Sequence, residues 1–150
     1  MNEMRVAELA GLDRQNGAML GRLPVHGSRI GHAAEGPDGR FHATVRIAPD
    51  ELVWDPGILV MAHGGQHELE LVNDDLNTHC ALLPSNGDNQ FIWLLNNSRG
   101  TASLELDGPG CYFFSSIIGN DEGRGLIAAI VVMGDAPPEA RLDRPAQPRP

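Results

Sequence analysis

The side chains best suited to chemistry in this sequence are one histidine and a polar group about forty positions downstream. His79 is the histidine, and residues 115–125 contain Ser116, Asp121 and Glu122. Histidine titrates near neutral pH and binds transition metals through its ring nitrogens. Paired with Asp121 or Glu122, His79 is therefore a candidate metal ligand or general base.

Enzyme motifs are otherwise missing from the sequence. It contains no nucleophile elbow, zinc-protease helix, phosphate-binding loop or dinucleotide fingerprint. We therefore expect a binding protein rather than an enzyme. If the chain is an enzyme, its chemistry should be metal-dependent or based on His79.

The glycine-rich segment 119–125 has two interpretations. In the first it is a self-contained turn, in which Arg124 pairs with Glu122 or Asp121. In the second it is a recognition loop, in which Arg124 binds a carboxylate or an acidic partner through a bidentate pair. The binding residues would then be Arg124, Asn120 and Ser116, together with Asn86 and Asp88 from the loop 85–89.

The remaining histidines are weaker candidates. His63 and His67 have the spacing of a helical metal pair, but two glycines separate them and argue against a helix. Counting along the strand places His67 on the order of 20 Å from the His79 end. We interpret both as ordinary loop histidines. The alternative is a non-blue copper, iron or zinc site, in which His79 and an acidic residue are joined by His26, His32 or His42.

The two cysteines are expected to be structural thiols. Strand alternation should turn Cys80 away from the face of His79, and Cys111 away from Ser116. A disulfide between them and a redox or ligand role are the alternatives.

Composition limits the kinds of partner. The chain has 150 residues, 41% of them hydrophobic, which suits one domain with a real core. Twenty acidic residues face 11 basic ones, all arginine, for a net charge of -9. This excludes a protein that binds the phosphate backbone of nucleic acid, and the lack of lysine excludes Schiff-base chemistry.

Targeting signals are not visible either. No apolar run approaches the roughly 20 residues that span a bilayer, and the first thirty residues lack a secretory apolar region. We expect a cytoplasmic protein, or a periplasmic or secreted one if a leader has been removed.

Short strands must position these residues. Apolar runs and alternation predict strands at 41–47, 52–54, 58–62, 67–73, 79–83, 91–95, 103–106, 111–118 and 126–133. Pro84 is expected to end one strand and Trp93 to lie in the core, whereas Trp54 is either a packed turn residue or an exposed contact. Strands at this spacing predict an all-β Greek-key sandwich or barrel.

Charge and composition divide the chain into three parts. Residues 1–40 form an N-terminal arm of short helix and loops, 41–134 the β domain, and 135–150 an extended proline-rich tail. Such flanks favour a protein partner or a homo-oligomer, with a small-molecule ligand as the alternative.

The order of these elements resembles the cupredoxin family, the sandwich of blue-copper proteins and multicopper oxidases. Three stretches carry the resemblance: residues 48–52 leading into 68–75, the tripeptide Asn77-Thr78-His79, and residues 109–114 followed by 125–132. The family places its first copper-binding histidine at the position of His79. The last stretch looks like the closing hairpin of a multicopper-oxidase domain, and the resemblance covers residues 41–134.

The resemblance does not bring the family's copper ligands with it. A blue-copper centre needs two histidines and a cysteine thiolate, usually with an axial methionine. The cysteine position falls on Ser116, the histidine positions on Ser115, Ile117 and the vicinity of Asn120 or Asp121, and Met133 comes too late in the chain.

Only His79 of that set remains, so we expect a cupredoxin-like module that has lost its copper ligands and holds no cofactor. By analogy with the family, such a module would be a binding or assembly subunit associated with a redox enzyme. The alternative is a non-blue protein with a single copper ion, or a small enzyme, centred on His79 with Asp121 or Glu122.

Overall fold

Residues 29–86 and 88–134 are described by a computed structural model as a sandwich of two β-sheets. Eleven strands build this part of the chain. They are β1 (Ile30–His32), β2 (Ala34–Glu35), β3 (Phe41–Ile47), β4 (Trp54–Asp55), β5 (Ile58–Met61), β6 (Gly65–Asn73), β7 (His79–Ser85), β8 (Asp88–Leu94), β9 (Ser98–Leu106), β10 (Gly110–Ser115) and β11 (Ile127–Val132), with a 3₁₀ turn at Glu122–Arg124.

The strands form two sheets that pack face to face. The six-stranded sheet has the order β1-β5-β11-β10-β7-β8, and the second sheet has the order β2-β3-β6-β9 with β4 beside β3. The all-β sandwich expected from the sequence is confirmed. Strands β1 and β2 each belong to a sheet, so the described part of the sandwich includes residues 30–35, which precede the predicted boundary at Phe41. In this part of the chain no helix is long and apolar enough to cross a membrane.

Strand alternation explains the core. Along β6, Leu69 and Leu71 are buried while Glu68 and Glu70 are half-buried on the opposite face, as a strand with one wet face requires. His67 continues the buried series, so its assignment as a loop histidine is wrong. It lies between Phe41 of β3 and Leu104 of β9.

The two tryptophans have opposite environments. Trp93 was expected in the core, but it lies on the outer face of β8 with 61% of its surface exposed. The period of two turns Ile92 and Leu94 inward, where they face Gly100 of β9, and leaves Phe91 and Trp93 outside. Trp54 is fully buried and packs edge-on against Phe114 at a ring distance of 5.3 Å.

Several predicted strand ends are also wrong, among them those at Pro84 and after Ser115. Strand β7 continues past Pro84 to Ser85. On its β10 side, β7 is paired only at Leu82, so the missing amide hydrogen of Pro84 removes no ladder bond there. Strand β10 ends at Ser115, and residues 116–118 leave the sheet toward the loop that faces His79.

Candidate functional site

Three chain segments meet at one end of the sandwich. Strand β7 begins there with His79, β6 ends there with Asn73, and the segment after β10 returns there through Asp121. The side chains of this cluster come from strand ends and short loops supported by the sheets, which is where functional residues are commonly found.

His79 is held between two carboxylates. Its Nδ1 atom lies 2.7 Å from Oδ2 of Asp121, and its Nε2 atom lies 2.7 Å from Oδ2 of Asp75. Only 2% of the His79 surface is exposed, and Asp75 is equally buried. Both ring nitrogens are therefore engaged by oxygen atoms of acidic side chains.

This geometry favours the imidazolium form of His79. Burial lowers the pKa of His79, but the hydrogen bonds and negative charges of Asp121 and Asp75 outweigh it and raise the pKa above its ordinary value. The hydrogen bond from His79 in turn lowers the pKa of Asp75 to about 2. The arrangement is a cation between two anions, with both ring nitrogens donating.

Ser116 closes the same network. Its Oγ atom donates to Oδ2 of Asp121 at 2.7 Å and accepts the backbone N–H of Cys80 at 3.1 Å. The Sγ atom of Cys80 accepts the N–H of Ile117 at 3.3 Å. Cys80 is buried. Ser116 thus joins β7 to the Asp121 loop through hydrogen bonds alone.

Asn73 holds the turn that presents Asp75. Its side-chain amide donates to the carbonyl groups of Asn77 and Leu94, both at 2.9 Å, and its Oδ1 atom accepts the N–H of Asp75 at 2.9 Å. Asn73 is fully buried. A short polar side chain that bonds the backbone two residues later is typical of Asn in turns.

A cleft of about 390 Å³ opens beside the network. Arg124 lines it and is exposed, and among the described residues no carboxylate lies within 4 Å of its guanidinium group. The ion pairs of Arg124 with Glu122 or Asp121 are therefore not formed. The cleft is lined by Asp50, Leu52, Asp75, Asn77, Thr78, His79, Asp121 and Arg124.

The structure brings only some of the sequence-derived residues together. Asp121 and Ser116 contact each other at the His79 end, although Ser116 is fully buried and so is a support rather than a contact residue. Asn120 and Glu122 are exposed in the loop that carries Arg124.

Asn86 and Asp88 lie elsewhere. They follow Ser85, at the opposite end of β7 from His79, on the order of 20 Å away. The side chain of Asn86 bonds Asp107 and not the 119–125 loop. The loop 85–89 therefore does not join the candidate site.

Sequence reasoning missed Asp75 and Asn73. Asp75 contacts His79, and Asn73 fixes the turn that carries Asp75. The available signal was the spacing of four between Asp75 and His79, but residues 75–79 are not helical, so that spacing had no geometric meaning.

The other histidines do not reach this end. His42 lies on β3 one residue from Phe41, which is opposite His67, and it contacts Asp38. His32 is opposite Val60, toward the far end of β5. His26 falls outside the described residues.

The donor set does not fit a blue-copper ion. Neither a second histidine nor a thiolate joins His79 among the described residues, which contain no group of three or more His, Cys, Asp or Glu placed to hold a metal. A metal-bound histidine offers a lone pair on one nitrogen, whereas both nitrogens of His79 face carboxylates.

Comparison with known proteins identifies the family to which the chain belongs. A family model described as PQQ-associated matches residues 1–150. The chain belongs to this PQQ-associated family. No curated protein matches the chain.

Solved structures similar to this family member are copper proteins. Reduced auracyanin from Roseiflexus castenholzii has a TM-score of 0.56 at 11% identity, covering 68% of this chain and 99% of that one. Auracyanin A from Chloroflexus aurantiacus gives 0.54 at 14%, covering 63% and 99%. The metal-binding domain of the Streptococcus pneumoniae Cu(I)-exporting ATPase CopA gives 0.57 at 12%, covering 71% and 98%. At these identities the likeness establishes the cupredoxin fold.

Proposed function

We propose that this member of the PQQ-associated family is a cupredoxin-like binding or assembly subunit without a blue-copper centre, working beside a redox enzyme of a PQQ-dependent system. The observation that carries the proposal is the pair of 2.7 Å contacts from the two nitrogens of His79 to Asp75 and Asp121. These contacts occupy both ring nitrogens of His79, the one histidine that matches the copper ligands of the cupredoxin family. The family description supplies the redox setting.

The exposed cation at the cleft supports a protein partner. Arg124 is exposed and no described carboxylate pairs with it. Its guanidinium N–H groups are therefore available to an acidic group on another protein. Arginine is enriched among residues that dominate binding energy. The backbone of the Arg124 turn is fixed by hydrogen bonds from its own N–H to the carbonyl groups of Asn120 and Asp121.

Charge argues against the quinone cofactor itself as the ligand. PQQ is a tricarboxylate, and the cleft combines Asp50, Asp75 and Asp121 with Arg124 and the His79 imidazolium. An anionic cofactor would meet three carboxylates within a chain of net charge -9. A protein surface can contact Arg124 without entering that acidic region.

The metal-free part of the proposal is tested with copper. The full chain is incubated with Cu(II), dialysed, and examined by metal analysis and visible absorption, with His79→Ala and Cys80→Ser alongside. We expect bound copper well below one equivalent and no intense thiolate-to-copper band. One equivalent that disappears in His79→Ala would instead establish a non-blue metal site.

The binding part is tested with a purified PQQ-dependent dehydrogenase from the same source, and with an NAD-dependent dehydrogenase as the control partner. We expect saturable binding of the first only, weakened at least about tenfold by Arg124→Ala. Arg99→Ala is the matched control, since Arg99 is also exposed but lies on β9 near Glu70. Saturable binding of free PQQ, or equal binding of both enzymes, would contradict the proposal.

A further inference from the structure

Within residues 29–86 and 88–134, strand β8 ends the six-stranded sheet, and no other strand of this part of the chain pairs with its outer edge. It spans Asp88–Leu94 and pairs with β7 on one side only. The unpaired backbone groups of an edge strand are a template for another strand.

The outer face of this edge is apolar. Phe91 is 43% exposed, Trp93 61% and Leu95 59%, and the rings of Phe91 and Trp93 contact each other edge-on at 5.1 Å. Monomeric proteins seldom leave aromatic side chains clustered in water without a use for them. On the opposite face of the strand, the side chains of Ile92 and Leu94 pack against Gly100 of β9.

The other terminal strands are protected in the ways that proteins use to avoid edge pairing. Strands β1 and β2 have only three and two residues. The edge of β9 is covered by three hydrogen bonds. The N–H of Glu105 donates to Ser85, while Asn86 and Gln90 donate to the carbonyl groups of residues 105 and 103. By contrast, residues 89–97 contain no charged side chain and no proline.

We propose that β8 is a self-association surface, on which two copies of this chain pair antiparallel about a two-fold axis at Ile92. In that register Phe91 of each copy lies opposite Trp93 of the other, on the same outer face. Aromatic cross-strand pairs of this kind stabilise antiparallel sheets, and a closed two-fold contact is the commonest oligomeric arrangement. The two six-stranded sheets would become one continuous sheet.

The uncharged edge is a place where two copies of this acidic chain can approach each other without charge repulsion. The chain has a net charge of -9, so two copies repel each other over most of their surfaces. The edge at 89–97 is free of charge and is self-complementary in its aromatic pairs. It would pair in this way whether or not the chain binds copper or a redox enzyme.

The test is the mass of the full chain in solution by sedimentation velocity over a wide concentration range. We expect a reversible dimer, with the emission of exposed Trp93 shifting to the blue as the dimer forms. Trp93→Glu should raise the dimer dissociation constant at least about 30-fold, while Trp93→Phe should keep the dimer. Both variants should fold, since the side chain is outside the core.

Leu76→Glu is the matched control. Leu76 is also exposed and apolar, at 72%, but it lies in the loop between β6 and β7. We expect it to dimerise as the wild type does. A wild type that stays monomeric, including one that captures only another protein, overturns the proposal. So does a Trp93→Glu variant that dimerises normally, or a Leu76→Glu variant that dissociates equally.

Discussion

The Oγ atom of Ser116 lies 2.7 Å from Oδ2 of Asp121, so a buried serine hydroxyl donates to a carboxylate at the His79 end of the sandwich. Oδ2 of Asp121 also lies 2.7 Å from Nδ1 of the His79 imidazole. The end of the sandwich is therefore a completed polar network, in which each buried group has a partner. A completed network of this kind stabilises the fold, but each member becomes costly to remove.

Ser116→Ala should destabilise the fold by about 1–3 kcal/mol, because it leaves the N–H of Cys80 without a partner and removes one of the two hydrogen bonds to Oδ2 of Asp121. Urea unfolding measures the change. Ser115→Ala is the matched control: Ser115 is also buried, yet no side-chain hydrogen bond is found for it among the described residues. Equal losses from the two variants would contradict the special role of Ser116.

Asn73→Ala should cost about 2–4 kcal/mol, because it removes the hydrogen bonds that hold the turn around Asp75. Unfolding by urea gives the free energy, and the NMR signals of His79 should shift as Asp75 moves. Asn77→Ala is the control, since the Asn77 side chain is exposed and its bond to Asp75 is long at 3.5 Å. A small effect of Asn73→Ala would show that the turn forms without it.

Period-two alternation predicted most of the fold. The 41–47 strand matches β3, and the strict alternation after His67 identified β6, because one face of that strand is wet. Alternation does not reveal which sheet face lies outside. Trp93 was therefore assigned to the core, although β8 is a terminal strand whose outer face meets solvent.

The candidate site was predictable only in part. The resemblance to the cupredoxin family directed attention to His79, Ser116 and Asp121. In the structure both His79 and Ser116 contact Asp121. Asp75 was not predicted, because residues in a turn show no sequence periodicity. The direction of its side chain depends on the buried amide of Asn73, which holds the turn. Asn86 was grouped with the site from composition alone, which carries no information on strand direction.

His79 should make stability fall at alkaline pH. Its folded-state pKa is raised above the ordinary 6.5, so its contribution is fully present below 6.5 and is lost as pH rises through the folded-state pKa. His79→Gln should flatten this decline in the free energy of unfolding measured by urea. The NMR titration of the His79 ring should place its midpoint above 6.5.

His63→Gln is the control for that experiment. The pKa of His63 is also raised, by the carbonyl of Gly64 and then by Glu35, but the side chain is exposed. Solvent screens such a pair, so the alkaline decline should stay as in the wild type. A His79 ring that titrates below 6.5 would contradict the imidazolium assignment.

His67 should make stability fall at acidic pH, for the opposite reason. It is fully buried, neither ring nitrogen has a partner in the described structure, and burial lowers its pKa to about 4. Between pH 6.5 and about 4, His67 is protonated in the unfolded chain but stays neutral in the folded chain. The free energy of unfolding should therefore drop as pH falls through this window, by on the order of 3 kcal/mol.

His67→Leu should remove most of that acid loss, because leucine is similar in volume and carries no titrating or unsatisfied nitrogen. It should also stabilise the protein at neutral pH by about 1 kcal/mol or more. His42→Gln is the control, since its exposed side chain contacts Asp38 at the surface and its urea curves should run parallel to those of the wild type. An unchanged acid decline in His67→Leu would mean that His67 is already protonated or hydrated in the folded protein.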